Sequence, residues 1–207
     1  MIKLMIFDFD GTTVDSMDRL AEIAVEEVCS VYDASEDEIR ECYLETSGLP
    51  FSEQIERMFP GEKKNSEIVN RFENRKRDEL LEYPLFPDTK MTLMELRKRD
   101  YIVVISSSNF KENVEVYFKE KGVEVDLLLG FKRDFGKGRP HFDYIKKTFD
   151  VDKEEMIFIG DSPMDAKRAR DYGIKFICKL GTFDEKALEN NPDIPYIYRL
   201  SDLLKLY

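Results

Sequence analysis

Two aspartates near the N-terminus, Asp8 and Asp10, are spaced so that they could act together. They follow the apolar run Leu4–Phe7 and precede Gly11 and two threonines. Because alternate residues of a strand point the same way, a buried strand ending here would direct both carboxylates into one open pocket. Two like charges held that close are costly unless a cation or a shared proton relieves them. The spacing therefore predicts a cation-binding site, with a strand followed by a capping turn as the alternative.

A second pair of carboxylates, Asp161 and Asp165, follows another apolar run, Met156–Ile159. Gly160 would end that strand and Pro163 suits the first turn of a helix, so the two aspartates can converge on one cation. Hard carboxylate oxygens suit magnesium. The alternative is an aspartate N-cap with a second aspartate favoured by the helix dipole.

Two further segments could bind a phosphate group. Ser106 and Ser107 follow the apolar run Tyr101–Ile105 and lead into a helix pattern, where hydroxyls and helix N-terminal amides bind anions. Lys137 and Arg139 lie in a glycine-containing segment, and a cation there could hold a nucleophilic carboxylate and a transferring phosphoryl group. An ordinary helix cap and a solvated basic loop are the respective alternatives.

The elements that would position these residues alternate between strands and helices. Short continuous runs rich in Val, Ile and Phe recur along the chain, with helix patterns between most of them. This alternation predicts an α/β fold with a Rossmann-like parallel sheet, whose ligands bind at the carboxyl ends of the strands. The predicted strands are Leu4–Phe7, Tyr101–Ile105, Val125–Leu129, Met156–Ile159, Phe176–Cys178 and a shorter candidate, Tyr196–Tyr198.

The stretch from residue 16 to residue 83 interrupts that alternation, because it contains no convincing strand. Ser35 and Glu38 in this stretch match a capping box at the start of a helix. The sequence predicts an α/β core domain formed by residues 1–15 and 84–207, with an α-helical cap domain inserted at residues 16–83. The predicted cap helices are Met17–Val31, Ser35–Thr46, Ser52–Phe59 and Ser66–Glu82.

Composition narrows the range of functions. The chain has 207 residues, 42% of them hydrophobic and 36% charged, which is typical of a globular protein. Its formal net charge of −11 argues against nucleic-acid binding, and no apolar run is long enough to predict a membrane span. Three widely separated cysteines and a start without a secretory signal favour the cytoplasm. The only histidine, His141, is expected at the surface.

Taken together, these motifs resemble those of the haloacid dehalogenase-like hydrolases, a large family of phosphatases with an aspartate nucleophile. The DxDGT motif of the family is matched by residues 8–12 and its GDxxxD motif by residues 160–165. Its strand-terminal Ser or Thr is matched by Ser106. Its basic residue is matched by Arg139, which precedes a proline, or by Lys137. The helical insertion at residues 16–83 is similar to the helical cap of the family.

The resemblance implies a mechanism. Asp8 would attack phosphorus in line and become an aspartyl-phosphate, and Asp10 would protonate the leaving oxygen and later activate water. Magnesium would be held by Asp8, the backbone carbonyl of Asp10 and Asp161, with Asp165 in support. The phosphoryl oxygens would be bound by groups at strand ends: Ser106, Ser107, and either Arg139 or Lys137.

A loop between two predicted cap helices is expected to select the substrate. It contains Gly48, Leu49 and an expected exposed aromatic side chain, Phe51. In similar proteins such a loop enters the active site, and closure of a cap excludes bulk water. The alternative is an ordinary connection between helices.

The expected function is magnesium-dependent hydrolysis of a small phosphorylated metabolite, such as a sugar phosphate or phosphoglycolate. One alternative is a phosphomutase of the β-phosphoglucomutase type, which passes the same phosphoryl group to a second hydroxyl. Another is phosphonate hydrolysis, which needs a Schiff-base lysine in the cap; Lys63, Lys64 and Lys76 are present, but none has an apolar context. The least favoured alternative is a non-catalytic binding protein on the same fold. The sequence does not indicate an oligomeric state.

Overall fold

The central layer of the protein is a six-stranded parallel sheet. The structure is a computed structural model that describes residues 1–183, 185–188 and 193–207. The runs predicted as strands are confirmed, and the second is longer than predicted because the chain stays extended through its serines to Phe110. The strands are β1 (Leu4–Phe7), β2 (Ile102–Phe110), β3 (Leu127–Phe131), β4 (Met156–Gly160), β5 (Lys175–Lys179) and β6 (Tyr196–Ile197).

The order of the strands, β3-β2-β1-β4-β5-β6, puts β1 in the middle of the sheet. Phe7, the last residue of β1, is level with Ile105 of β2 and with Ile159 of β4. The residues that follow on these three strands therefore meet at the same edge. This edge is where the strand order reverses, which is the usual ligand-binding position in an open α/β sheet.

Helices cover both faces of the sheet, and β1 is therefore buried on both sides. Met5 and Phe7 point into one apolar cluster, whereas Leu4 and Ile6 point into the other. The first cluster is covered by α5 (Thr89–Lys98), α6 (Lys111–Lys121) and α9 (Leu203–Leu206), and the second by α7 (Arg139–Phe149) and α8 (Pro163–Tyr172). None of the helices in the described part of the chain is long and apolar enough to cross a membrane.

The segment between β1 and α5 is helical, and its helices pack on one another through aromatic side chains. They are α1 (Met17–Cys29), α2 (Glu36–Glu45), α3 (Phe51–Met58) and α4 (Asn65–Asp78). Tyr43, Phe51 and Phe72 are buried between α2, α3 and α4. The predicted capping box is wrong, because the Ser35 side chain makes no hydrogen bond at the start of α2. That residues 16–83 form a separate cap domain stays a prediction.

The two chain segments that enter and leave the helical part pair with each other. The amide of Asp15 donates to the carbonyl of Pro84 at 2.9 Å, and the amide of Phe86 donates to the carbonyl of Thr13 at 3.2 Å. The buried Lys179 ammonium lies 3.4 Å from the centre of the Phe86 ring. The paired segments are thereby held against the sheet, which fixes the place where α1–α4 are attached.

His141 is fully buried, so its expected surface position is wrong. It lies in the first turn of α7 and faces inward, with Nδ1 2.8 Å from the Ser106 hydroxyl oxygen and its ring centre 4.7 Å from that of Phe135. Burial, with a smaller contribution from the nearby Lys137 charge, lowers the pKa of His141 to about 4, although a hydrogen bond with the Gly130 backbone opposes the shift. The imidazole is therefore neutral at neutral pH.

Burial of neutral His141 predicts a loss of stability in mild acid. Below pH 6.5 the unfolded chain binds a proton that the folded chain excludes until about pH 4, so the free energy of unfolding falls through this window. We expect the wild type to lose about 2 kcal/mol more than His141→Asn between about pH 7.5 and about pH 5. Urea denaturation at both pH values measures this. Equal losses in the two proteins would show that another group causes the acid sensitivity.

Candidate active site

Three aspartates from two neighbouring strand ends meet at the carboxyl edge of the sheet. Asp8 follows β1, Asp161 follows β4, and Asp165 lies in the first turn of α8. One carboxylate oxygen of each lies within 4.8 Å of the others, and all three residues are buried. The Ser162 hydroxyl accepts a hydrogen bond from the Asp165 amide at 3.1 Å, which caps α8 and orients Asp165. The two carboxylate motifs of the sequence are thus brought together.

Among the described side chains, one ammonium group enters this cluster, that of Lys137. Its Nζ lies 2.7 Å from Asp8 Oδ1 and 2.6 Å from Asp165 Oδ1, and its side chain is only 3% exposed. Arg139 is instead exposed, with its guanidinium carbon 5.5 Å from the centre of the Tyr172 ring. Between them Gly138 adopts a φ of +109° and turns the chain into α7, so the two cations point to different surroundings. Of the two cations that the sequence left open, the structure brings Lys137 to the carboxylates.

The charges in the cluster are not balanced by Lys137 alone. Burial raises the pKa of Asp8 well above its usual range and the nearby Asp165 and Asp161 raise it further, whereas Lys137 opposes them. Burial also raises the pKa of Asp161, to about 6. Burial alone would also raise the pKa of Asp165, but the charges of Lys137 and Arg168 outweigh burial and lower that pKa. Three ionised carboxylates would face two cations, the Lys137 ammonium and the Arg168 guanidinium, and the remaining negative charge favours the binding of a further cation.

The donor set fits a hard divalent ion. Asp165 Oδ2 is buried and has no hydrogen-bond partner in the described part of the chain, so it retains a free lone pair. The three aspartates offer only oxygen ligands, which suit magnesium better than softer metals.

Asp10 is held apart from this cluster by three donors. Ser16 Oγ donates to Oδ1 at 2.7 Å, while Lys76 Nζ and Asn109 Nδ2 donate to Oδ2 at 3.0 Å and 2.9 Å. Burial alone would raise the pKa of Asp10, but Lys76 and the hydrogen bonds outweigh it and lower the pKa. Asp10 is therefore ionised in this arrangement, and its charge partner comes from α4.

Lys76 and Asn109 were missed as site residues. Lys76 lies in a polar stretch of α4, so nothing in its local sequence indicates burial, yet only 16% of its side chain is exposed. Asn109 lies in the serine segment, where it reads as part of an ordinary helix start. Only the packing of α4 over the end of β1 reveals the role of Lys76.

The three serines at the end of β2 face different surroundings. Ser106 is buried against His141, and the Ser107 hydroxyl accepts a hydrogen bond from the Asn109 amide at 3.0 Å. Ser108 is exposed and lines a small cavity of about 60 Å³ together with Asp8, Asp10 and Lys137.

Gly48 and Leu49 line the same small cavity from the helical part of the chain. Gly48 adopts a φ of +85°, and a Cβ atom there would lie 2.6 Å from Ser162 Oγ. Arg168 of α8 donates to the Gly48 carbonyl at 2.7 Å and to Asp165 Oδ1 at 3.2 Å. The loop is therefore docked on the segment that carries Asp161 and Asp165.

Phe51 is not an exposed tip of this loop, so that expectation is wrong. It is 3% exposed and stacks on Phe72 with ring centres 4.0 Å apart. Helix α3 begins at Phe51, and its ring turns toward α4 because the aromatic contacts there remove apolar surface from water.

Two curated relatives match this chain over most of its length. The chain is 23% identical over 188 residues to a phosphoglycolate phosphatase of Synechococcus elongatus, covering 89% of this chain and 87% of that protein. It is 26% identical over 221 residues to a phosphoglycolate phosphatase of Vibrio parahaemolyticus, covering 99% and 96%.

Solved structures share the fold. A haloacid dehalogenase-like family protein from Streptococcus pneumoniae is 22% identical with a TM-score of 0.82, covering 99% of this chain and 98% of that one. A predicted phosphoglycolate phosphatase from Haemophilus somnus is 21% identical with a TM-score of 0.79, covering 99% and 97%. The family model described as haloacid dehalogenase-like hydrolase matches residues 5–179, which include all four sequence motifs. The chain therefore belongs to the haloacid dehalogenase-like hydrolase family.

Proposed function

We propose that this protein is a magnesium-dependent phosphatase that hydrolyses a small phosphorylated metabolite through an aspartyl-phosphate on Asp8. The observation that carries the proposal is the buried group of Asp8, Asp161 and Asp165 with the Lys137 ammonium among them. The relatives named phosphoglycolate phosphatases, and the family itself, support hydrolysis of a phosphoric monoester.

Asp8 is the nucleophile in this proposal because it lines the small cavity at the end of β1, where a substrate could reach it, and because the Lys137 ammonium lies 2.7 Å from its Oδ1. Lys137 stabilises the ionised form of Asp8 and supplies positive charge where phosphoryl oxygens would arrive. Magnesium, held by Asp8, the Asp10 carbonyl, Asp161 and Asp165, would reduce the repulsion between the anionic ester and the attacking carboxylate. At the end of β2, the exposed Ser108 lines the small cavity with Asp8, whereas Ser106 and Ser107 lie buried next to it. We therefore propose Ser108 as a contact for the phosphoryl oxygens beside the predicted Ser106 and Ser107.

Asp10 is the general acid and base. As an acid it must carry a proton when the leaving oxygen departs, and as a base it must then take a proton from water. Lys76, Ser16 and Asn109 hold it as an anion, which is the form needed for the second step. A leaving group that contacts Lys76 would weaken this ion pair and favour protonation of Asp10 for the first step.

Residues 16–83 form the cap in this proposal, and its Gly48–Leu49 loop and Lys76 contact the leaving group.

The pairing of Lys76 with Asp10 argues against the alternative of phosphonate hydrolysis. Burial alone would lower the pKa of Lys76, but the charge of Asp10 outweighs burial and raises the pKa. Lys76 is therefore an ammonium, which is not nucleophilic, so it is poorly suited to form a Schiff base.

The three free cysteine thiols fit a cytoplasmic location, which we include in the proposal.

The Asp8→Asn substitution should abolish turnover while preserving the fold, because an amide cannot act as the nucleophile. We expect kcat for p-nitrophenyl phosphate to fall by roughly three orders of magnitude or more. Asp37→Asn, at an exposed position on α2, is the matched control and should retain wild-type activity. Near-wild-type hydrolysis by Asp8→Asn would exclude the aspartyl-phosphate mechanism.

Removal of divalent ions with EDTA should abolish activity, and magnesium should restore it. Calcium should not, because its looser coordination would misplace the Asp8 oxygen. Magnesium should also raise the thermal unfolding midpoint of the wild type by binding the folded state alone. Asp161→Asn should lose that rise. Full activity after exhaustive chelation would contradict the metal assignment.

Lys137→Met should lower kcat/KM for every phosphate ester by about 10²–10³-fold, since it removes a buried charge beside the nucleophile. Arg139→Met, which removes a neighbouring exposed cation, should change kcat/KM by less than about twofold. Steady-state kinetics on both variants decide between the two cations. The reverse order of effects would show that Arg139 is the active-site cation.

A further inference from the structure

A second and much larger cavity opens beside the small one that contains Asp8 and Asp10. It has a volume of about 900 Å³, near the upper end of ligand-binding pockets. Tyr43, Leu49 and Lys76 line both cavities, so the two are contiguous. A phosphoryl group beside Asp8 would therefore direct its leaving group into the larger space, which greatly exceeds the needs of a hydroxy acid as small as glycolate.

The walls of the large cavity are mainly apolar, and the core contributes two exposed aromatic rings. Phe110, at the end of β2, is 52% exposed, and Phe131, at the end of β3, is 42% exposed. Their ring centres are 5.7 Å apart in an edge-to-face pair. Leu49 and Pro50 line the cavity from the helical side. Because solvent-exposed phenylalanines at a cavity are costly without a ligand, this pair suits a flat ring that packs against it.

The charges around the large cavity disfavour a second anionic group on the substrate. The cations at its inner end are paired with the catalytic carboxylates: Lys76 with Asp10, and Lys137 and Arg168 with Asp165.

Farther out, three acidic side chains line the cavity: Glu53, Glu73 and Glu112. Arg77 is the remaining lining cation among the described residues, and it pairs with its neighbour Asp78. A carboxylate entering this space would meet net negative charge, so an uncharged leaving group is favoured.

Amide side chains supply neutral hydrogen-bonding groups in the same space. Asn70 and Asn74 of α4 and Asn113 of α6 line the cavity. Each amide offers both a donor and an acceptor, as the edges of a nucleobase do. We infer that the substrate is a nucleoside 5′-monophosphate, whose uncharged, ring-bearing nucleoside occupies the large cavity with its base against Phe110 and Phe131. This inference rests on the proposed phosphatase function and specifies its substrate class.

The first test compares kcat/KM of the wild type for uridine 5′-monophosphate, ribose 5-phosphate, phosphoglycolate and phosphocholine at saturating magnesium. The kcat/KM for the nucleotide should exceed that for each of the other three esters by about tenfold or more, because only the nucleotide carries a planar base that can pack against Phe110 and Phe131. The inference would be overturned if kcat/KM for ribose 5-phosphate equalled that for the nucleotide, or if phosphoglycolate or phosphocholine were the preferred substrate. Either result would leave the phosphatase function intact.

The second test removes the aromatic pair. Phe110→Ala and Phe131→Ala should each lower kcat/KM for the nucleotide by about 5-fold to 100-fold, as expected for the loss of base stacking. The same substitutions should change kcat/KM for phosphoglycolate by less than about twofold. Met91→Ala, at a 65% exposed apolar side chain on α5, is the control and should change neither. Equal losses of kcat/KM for the nucleotide and for phosphoglycolate would overturn the assignment of Phe110 and Phe131 as the base-binding pair.

Binding to the inactive Asp8→Asn variant separates this inference from the proposed function. The variant should bind the nucleotide at least tenfold more tightly than phosphoglycolate by calorimetry, and Phe110→Ala on that background should remove the difference. Failure of the wild type to hydrolyse any ester, combined with this binding preference, would refute the phosphatase proposal and retain the nucleotide site. Equal binding of the two ligands would refute the nucleotide site.

Discussion

Asp8, Asp161 and Asp165 repel one another at the carboxyl ends of β1 and β4, and much of the surrounding structure offsets that repulsion. The strand order places the ends of β1 and β4 side by side, so the backbones of Asp8 and Asp161 cannot separate without breaking the sheet. Lys137 binds two of the three aspartates, and Arg168 binds one of them. Burial, and after it the repulsion between the carboxylates, raises the pKa of Asp8 and of Asp161, and binding of a divalent ion would lower both pKa values again. The topology thus creates a cluster of carboxylates that favours a cation.

The same residues connect the carboxylate cluster to the helical part of the chain. Arg168 contacts Asp165 with one nitrogen and the Gly48 carbonyl with another. Lys76 of α4 contacts Asp10, which the Ser16 hydroxyl also holds where the chain leaves the sheet. Arg168 thus joins the carboxylate cluster to the Gly48 loop, and Lys76 joins Asp10 to α4. If residues 16–83 act as the proposed cap, these are the contacts that its movement would break.

The sequence identified the groups whose positions depend on the strands. The sites of Asp8, Asp161 and Asp165 could be predicted because the end of a buried strand is visible as an apolar run followed by a glycine. His141 and Lys76 could not be placed, because the face that a helix buries depends on what packs against it. Each lies in a polar local sequence, and each is buried by an element distant in the chain.

Local geometry explains the remaining differences. Arg139 matched the family pattern better than Lys137, since it directly precedes a proline. The positive φ of Gly138 directs the two side chains apart, and the sequence does not reveal which one turns inward. Phe51 looked like the tip of a loop, but α3 begins there and its ring joins the aromatic contacts with Phe72. Both errors arise where one backbone turn decides the direction of a side chain.

The contrast between the two cavities divides recognition into two physical tasks. The small cavity is lined by charged side chains, among them Asp8, Asp161 and Lys137, and in the proposed function it would bind the phosphoryl group and the ion together. In the large cavity, binding of a leaving group would be stabilised mainly by the removal of apolar surface from water, and the outer acidic side chains would oppose anions. Because the phosphoryl contacts are common to every ester, they cannot rank substrates. In the proposed function, selection would then come from the walls of the large cavity, where α4, Leu49 and the Phe110–Phe131 pair meet.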